Sequence, residues 1–393
     1  MDDAPAAALT YDMTTPPKGC SWAPDGTCLL TAGDDARLRV LELPAPMVAE
    51  PPAAPENPAW RPTFDVKACE CVYDYAWYPR LHSSQPSTCV FAACARAAPP
   101  VVGVVERGRR RASYVLRDAL DEPVPCLALA FSPGGATLRV AAQKRSRLAA
   151  FDVATSQVVS DAAVAQRGPL ACLACIDEHV FVCGGYSGQI RVYDDRENDP
   201  GVALKDSIKM GGVTRLRVSD DAVYASHRGE DVVRGFDLRT RRVASRCTRP
   251  GHAHQRFDFD VAGETLVAGD ADGAVRAFDL AAADVDKPGR VLRAEPSAAN
   301  GVAVHPHRDW LAVATGSRAL PDVCGEPAAA STNRIAVYAF ERPNNVCGLY
   351  SGGPGAAFGG FARMKASASA TTRAAVSDAF SSPWMETRTS HCS

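Results

Sequence analysis

Cys172 and Cys175 stand three residues apart, the spacing of a zinc-binding or redox pair. His252 with His254, and His305 with His307, could each recruit a metal. Two basic runs, Arg107 to Arg111 and Lys144-Arg145-Ser146-Arg147, could meet phosphate. Each signal depends on the element that carries it. Cys172 and Cys175 lie in the apolar segment Leu170 to Cys175, which reads as a strand. An offset of three there sends the two side chains to opposite faces. No second pair follows at finger spacing, so buried core is the expectation. Cys69 and Cys71 form a weaker pair still. Both histidine pairs read as solvated turns, the second around Pro306. There is no phosphate-binding glycine loop with its lysine and no nucleophile elbow. No Ser/His/Asp set can be placed. A metal-dependent hydrolase would need carboxylates or histidines converging on an axis, and the sequence assembles none. No catalytic residue, cofactor or metal site is expected.

The elements that must position these groups show a regular beat. An aromatic residue followed by aspartate closes four successive segments, at Phe151-Asp152, Tyr193-Asp194, Phe236-Asp237 and Phe278-Asp279. The steps between them are 42, 43 and 42 residues. A period in this range with a Trp-Asp-like ending marks WD-repeat propeller blades. Within a repeat, short apolar strands alternate with Gly, Asp and Ser turns, as a four-stranded blade requires. Ala23-Pro24-Asp25-Gly26 is one such turn: Pro fixes φ and Gly accepts positive φ. Repeats begin near Cys20, Val72, Cys126, Leu170, Val213, Gln255 and Asn300. The expected fold is all-β, a seven-bladed WD-repeat β-propeller over residues 1–342, with a long loop at 44–62 and an insertion at about 317–333. The segment Ala8 to Met13 is the expected closing strand, protecting an edge. Residues 343–393 are rich in Gly, Ala, Ser and Thr and read as a disordered tail.

Composition excludes several classes. Lys plus Arg total 43 and Asp plus Glu 45, a net charge of -2, so no global basic field announces a nucleic-acid binder. The acidic N-terminus lacks an apolar core, so no secretory signal is expected. No apolar run reaches spanning length, so neither a membrane partner nor a membrane location is expected. The 14 cysteines read as reduced and largely buried.

Any RNA site must then be a local patch. The basic turn of the third repeat offers Arg145 and Arg147. Blade geometry gathers Tyr73, Tyr75, Tyr186, Arg228, Arg256 and Asn300 towards the same face. Arginine beside exposed aromatics binds single-stranded RNA by stacking and phosphate neutralisation. The opposing reading places Tyr75 and Trp77 in the core, and for Trp77 it is adopted.

Several phrases resemble one family. Lys18 to Cys28 (KGCSWAPDGTC) is similar to the first-blade signature of the telomerase Cajal body protein 1 family. Val72 to Tyr78 with Ser84-Gln85-Pro86 resembles its second blade, and Gly211 to Thr214 its fifth. Gln255 to Asp260 with Gly269 to Asp279 resembles its sixth. Asn300 to Pro306 with Ala314 to Arg318 resembles its seventh. The likeness runs in order over about residues 9–340; the third and fourth repeats match only as generic repeats. Animal members carry a long N-terminal extension, whereas here the repeats begin almost at Met1. The resemblance implies a non-catalytic RNA-binding adaptor. Its partners would be H/ACA-type small Cajal-body RNAs, with telomerase RNA and H/ACA ribonucleoprotein proteins as further candidates, and no small-molecule substrate. It would direct these RNAs to Cajal bodies in the nucleus and support telomerase assembly. The alternative is a WD-repeat protein-interaction scaffold without RNA contact.

Overall fold

A computed structural model describes residues 7–44, 47, 60–68, 70–96, 98–104, 110–143, 146–197, 201–206, 210–249, 256–282, 284–287, 289–317 and 332–340. The tail at 343–393, most of the 44–62 loop, most of the 317–333 insertion, Arg145, His252 and His254 lie outside them. The described chain is all-β apart from one short 3-10 turn at Pro86–Thr88. None of its helices is long and apolar enough to cross a membrane.

The strands form seven sheets, each a meander built outward from an inner strand. The inner strands are Pro17–Trp22, Val72–Trp77, Cys126–Phe131, Leu170–Cys175, Val213–Ser219, Phe259–Ala262 and Ala299–Val304. They define sheets one to seven. Contacts run from each sheet to the next, and Pro17–Trp22 also packs on Ala299–Val304. The seventh sheet takes its fourth strand from the other end of the chain: Leu9–Asp12 pairs antiparallel with Arg334–Ala339. In the fifth sheet the two-residue strand Asp286–Lys287 adds in parallel beside Arg242–Thr248.

Burial follows position in the sheet. The second strands Cys28–Gly33, Val90–Ala95, Val180–Gly185 and Trp310–Thr315 are buried at every residue, because neighbouring sheets cover both of their faces. The outermost strand Val158–Ala163 is exposed throughout. This gradient explains why inner segments read as unbroken apolar runs.

The aromatic-Asp beat now has a physical cause. Phe151, Phe236 and Phe278 are fully buried, each a gain of roughly 1.5–3 kcal/mol over exposure. The aspartates terminate the strands through turns: Asp152 Oδ1 accepts from Thr155 N at 2.7 Å, Asp237 Oδ1 from Thr240 N at 2.6 Å, and Asp279 Oδ1 from Ala281 N at 2.9 Å. Asp194 accepts from Arg196 N at 3.0 Å.

Within the 44–62 segment, the described Met47 and Trp60 are buried in the core between sheets seven and one. Trp60 Nε1 donates to the Glu42 carbonyl at 2.7 Å. The solvated reading of the His305–His307 turn needs correction at one residue: Pro306 and His307 are exposed, but His305 is not. His305 is buried, edge-on to Trp22 and Trp310. Its Nδ1 accepts from the backbone N–H of His307 and Arg308, so Nε2 carries the proton and donates to Gly26 O at 3.0 Å. Aromatic and carbonyl partners across the first and seventh sheets thus fix the ring. Trp77 is buried as expected, with Nε1 donating to Ser21 O at 2.9 Å.

Candidate nucleic-acid interface

A repeated irregularity builds the site. In six inner strands the pairing register slips near the first residues: at Pro17/Cys20, Val72/Asp74, Cys126/Ala128, Leu170/Cys172, Val213/Arg215 and Ala299/Gly301. A bulge inserts an unpaired residue and re-aims its side chain. The residues stepped over are Lys18 and Gly19, Tyr73, Leu127, Ala171, Thr214 and Asn300.

These bulged residues line two adjoining clefts. The larger, about 560 Å³, is bounded by Lys18, Tyr73, Tyr75, Arg256, Asn300 and Ser317, among others. The smaller, about 160 Å³, is bounded by Tyr73, Leu127, Ala171, Tyr186, Thr214, Arg228 and Arg256, with Val213. Tyr73 and Arg256 belong to both and form the shared wall. Six residues singled out in the sequence therefore meet here: Tyr73, Tyr75, Tyr186, Arg228, Arg256 and Asn300.

Their environments differ. Tyr186 is 48% exposed, and the Arg228 guanidinium lies 5.6 Å from its ring centroid. Among the described residues no carboxylate pairs with Arg228. Arg256 is held from three sides. Its Nη1 donates to the Tyr73 carbonyl at 3.1 Å, its Nε to Asp258 Oδ1 at 3.1 Å, and its Nη2 to Asp74 Oδ1 at 3.4 Å. Arg215 reaches the same two carboxylates, at 3.4 Å for Asp74 and 3.6 Å for Asp258. Arg217 pairs with Asp260 at 3.5 Å. Three guanidiniums thus face three carboxylates. Burial alone would raise the Asp258 pKa; Arg215, Arg256 and Arg217 overcome it and hold the carboxyl below its ordinary value.

Tyr75 combines both readings made of it. Its ring packs against the core between the first two sheets, and the residue also borders the larger cleft. Its hydroxyl is buried and has no hydrogen-bond partner among the described residues. Burial, then the nearby Asp258, pushes its pKa well up. Asn300 is almost fully buried, and its amide donates to Pro17 O at 3.0 Å and Gly316 O at 2.7 Å. It ties strands together at the cleft floor and offers little of itself to a ligand.

Arg147 lies elsewhere. It pairs with Asp161 on the outermost strand of the third sheet, and its Nη2 donates to Arg117 O at 3.0 Å. With Leu120 it borders a separate outer cleft of about 740 Å³. The basic turn of the third repeat is not joined to the others through Arg147. Arg110 and Arg111, the described end of the other basic run, lie exposed on the fourth strand of the second sheet, where Arg111 Nη1 donates to Ser87 O at 2.7 Å.

Cys172 and Cys175 occupy different cores, the first between sheets four and five, the second against the core shared by sheets three and four. Burial pushes the Cys172 thiol up to about 12 and the Cys175 thiol up to about 11. Among the described residues, no group of three or more His, Cys, Asp or Glu side chains could hold a metal ion.

Lys18, Asp74, Arg215 and Asp258 were not singled out by sequence. The missed signal was phase: Lys18 and Tyr73 are each the second residue of the strands that end in Trp22 and Trp77. Lys18 Nζ pairs with Asp34 at 3.2 Å and donates to Cys71 Sγ at 2.8 Å.

Comparison with known proteins bears on this architecture. The WD domain, G-beta repeat family matches residues 13–41. Over 322 residues, 78% of this chain, the sequence is 31% identical to telomerase Cajal body protein 1 of Bos taurus. The chain is a WD-repeat relative of telomerase Cajal body protein 1. The Drosophila melanogaster homolog of telomerase Cajal body protein 1 is 30% identical over 76% of the chain and 56% of its own length. The match spans only 58% of the Bos taurus protein's length. The chain is also 27% identical over 65% of its length to a Schizosaccharomyces pombe protein called guanine nucleotide-binding protein negative regulator 1, of which it covers 68%.

Proposed function

We propose that the chain is a non-catalytic RNA-binding adaptor on a seven-bladed propeller closed by the strand Leu9–Asp12. Seven sheets in mutual contact and the pairing of Leu9–Asp12 with Arg334–Ala339 support the ring. In this reading it recognises H/ACA-type small Cajal-body RNAs, with telomerase RNA and H/ACA ribonucleoprotein proteins as further partners. It directs them to Cajal bodies in the nucleus and supports telomerase assembly. The names of its relatives motivate the choice of RNA class and location. The observation that carries RNA contact is the convergence of Tyr73, Tyr186, Arg228 and Arg256 on adjoining clefts. An exposed aromatic under a guanidinium with no carboxylate partner among the described residues offers a base a stacking surface and a phosphate a charge.

One observation favours the alternative, a protein-interaction scaffold. Arg215, Arg217 and Arg256 all face aspartates, which leaves the larger cleft close to charge balance. Crosslinking the protein to RNA in cells and sequencing what is bound separates the two. Enrichment of H/ACA-type RNAs is expected. An RNA population no different from that of a control protein would leave only the scaffold.

A further inference from the structure

The outermost strand of a sheet presents unpaired N–H and C=O groups, and folded proteins shorten, charge or cover such edges. Most sheets here do so. The outer strands of sheets one, two, four and seven run only three or four residues. That of sheet five is joined by Asp286–Lys287, and that of sheet six carries Arg290 and Arg293. The third sheet differs. Its outer strand Val158–Ala163 has six residues, each of them exposed, and no described strand lies beyond it. Its pairing with Arg147–Asp152 slips near Val158 and leaves Ser160 to Ala163 in register. Val159 is 60% exposed. The strand's one charge, Asp161, is paired with Arg147.

A turn beside this edge completes a cleft. Asp118 Oδ1 accepts from Leu120 N at 2.9 Å and from Glu122 N at 3.1 Å. The turn so closed presents Leu120, 79% exposed. Arg147 Nη2, donating to Arg117 O, ties the turn to the sheet. The cleft between them, about 740 Å³, is bounded by Leu120, Val124, Asp161 and Ala163, among others. Asp161 and Ala163 are alternate residues on one face, so a strand added at this edge would send every second side chain towards the cleft. Charge selects among occupants. The carboxylates of Asp118, Asp121, Glu122 and Asp161 stand against the guanidiniums of Arg117 and Arg147, a negative excess. Nucleic acid is disfavoured there and basic side chains are favoured.

We propose that the edge Val158–Ala163 and the cleft beside it bind an extended segment of a protein partner in which basic and apolar side chains alternate. The segment adds to the third sheet as a further strand. Backbone hydrogen bonds supply affinity, while Leu120 and the excess carboxylates select the side chains. The site lies on the outer edge of its sheet and does not depend on the RNA reading.

The test is fluorescence anisotropy of the full chain with a labelled peptide of about eight residues alternating Val and Lys, and with its Val and Glu analogue. Wild type should bind the basic peptide at least about tenfold more tightly. Glu122→Lys should bring the two peptides within about threefold of each other, and Leu120→Ser should weaken the basic peptide about fivefold. Both substitutions lie on the surface, and thermal unfolding of both variants should match wild type. Hydrogen exchange at Val158–Ala163 should slow when the basic peptide is bound. Failure to bind either peptide, equal binding of both, or exchange at Val158–Ala163 unchanged by the peptide overturns the proposal. Displacement of the peptide by single-stranded RNA would assign the cleft to RNA and overturn it as well. So would a concentration-dependent dimer in sedimentation equilibrium that Leu120→Ser dissolves, which assigns the edge to a second copy of the chain.

Discussion

The Tyr73 carbonyl accepts a hydrogen bond from Arg256 Nη1 at 3.1 Å, across 183 positions of sequence. The contact links the bulge of the second sheet to the segment entering the sixth. Asp74 and Asp258 complete the grip at 3.4 and 3.1 Å. The arginine is therefore a structural tie as well as a cleft wall. Arg256→Gln leaves Asp74 and Asp258 buried with only Arg215 between them. Breaking a buried pair of this kind costs about 3–5 kcal/mol, and urea unfolding of the variant should show a loss of about 3 kcal/mol. A change below about 0.5 kcal/mol, ordinary for a surface substitution, would make Arg256 free for ligand.

Phe236 and Phe278 anchor their sheets with no exposure at all. Phe236→Ala should destabilise by about 3–5 kcal/mol, the range for buried aromatics cut to alanine. Val159→Ala on the exposed outer strand should cost far less. Thermal unfolding of the two variants makes the comparison.

Acid should weaken the fold through carboxylates and one histidine. Asp258 and Asp194 are held below the ordinary carboxyl value of 3.8, the first against burial by Arg215, Arg256 and Arg217, the second by its hydrogen bond from Arg196. A depressed carboxyl stabilises fully above its unfolded value, and that contribution is lost as pH falls through the folded one. His227 acts at higher pH. Burial lowers it from 6.5 to about 4, so its contribution is complete above 6.5 and lost on acidification towards 4. Urea unfolding between pH 7 and pH 4 should show stability falling, with slope up to about 1.4 kcal/mol per pH unit from one such proton. His227→Gln should flatten that slope above pH 4.5 or so. An unchanged slope would place the histidine's proton elsewhere.

Arg147 and Arg228 were both basic candidates in the sequence, and only one reaches the clefts. Arg147 is paired with Asp161 on the outer edge. Arg147→Ala should leave RNA affinity within about twofold of wild type, the small effect expected of an exposed ion pair far from the site. A larger loss would extend the RNA path to the outer cleft beside Leu120.

Much of the scaffold was legible because its cause is local and periodic. Phe151, Tyr193, Phe236 and Phe278 repeat because each fills the same core position, and each following aspartate because it closes the same turn. The clefts were only half legible. Tyr73, Tyr186, Arg228 and Arg256 could be gathered from the repeat phase, since loops between strands share a face. Their pairing could not. That Arg256 answers Asp74, 182 positions away, and that Asn300 is consumed by Pro17, 283 positions away, are contacts with no local sequence signature. His305 misled for the same reason: its Trp22, Gly26 and Trp310 partners come from two different repeats. The bulges that bring Lys18, Leu127, Ala171 and Thr214 to the cleft walls arise from register, which alternation of apolar residues does not encode.

The central claim is that RNA binds across the Tyr73, Tyr186 and Arg228 clefts. Its most direct test is the salt dependence of single-stranded RNA binding by wild type and Arg228→Ala. Wild type should show log affinity falling linearly with log salt, and Arg228→Ala should reduce that slope by about 0.7, one phosphate contact on a single strand. RNA binding with the same slope in both proteins would contradict it.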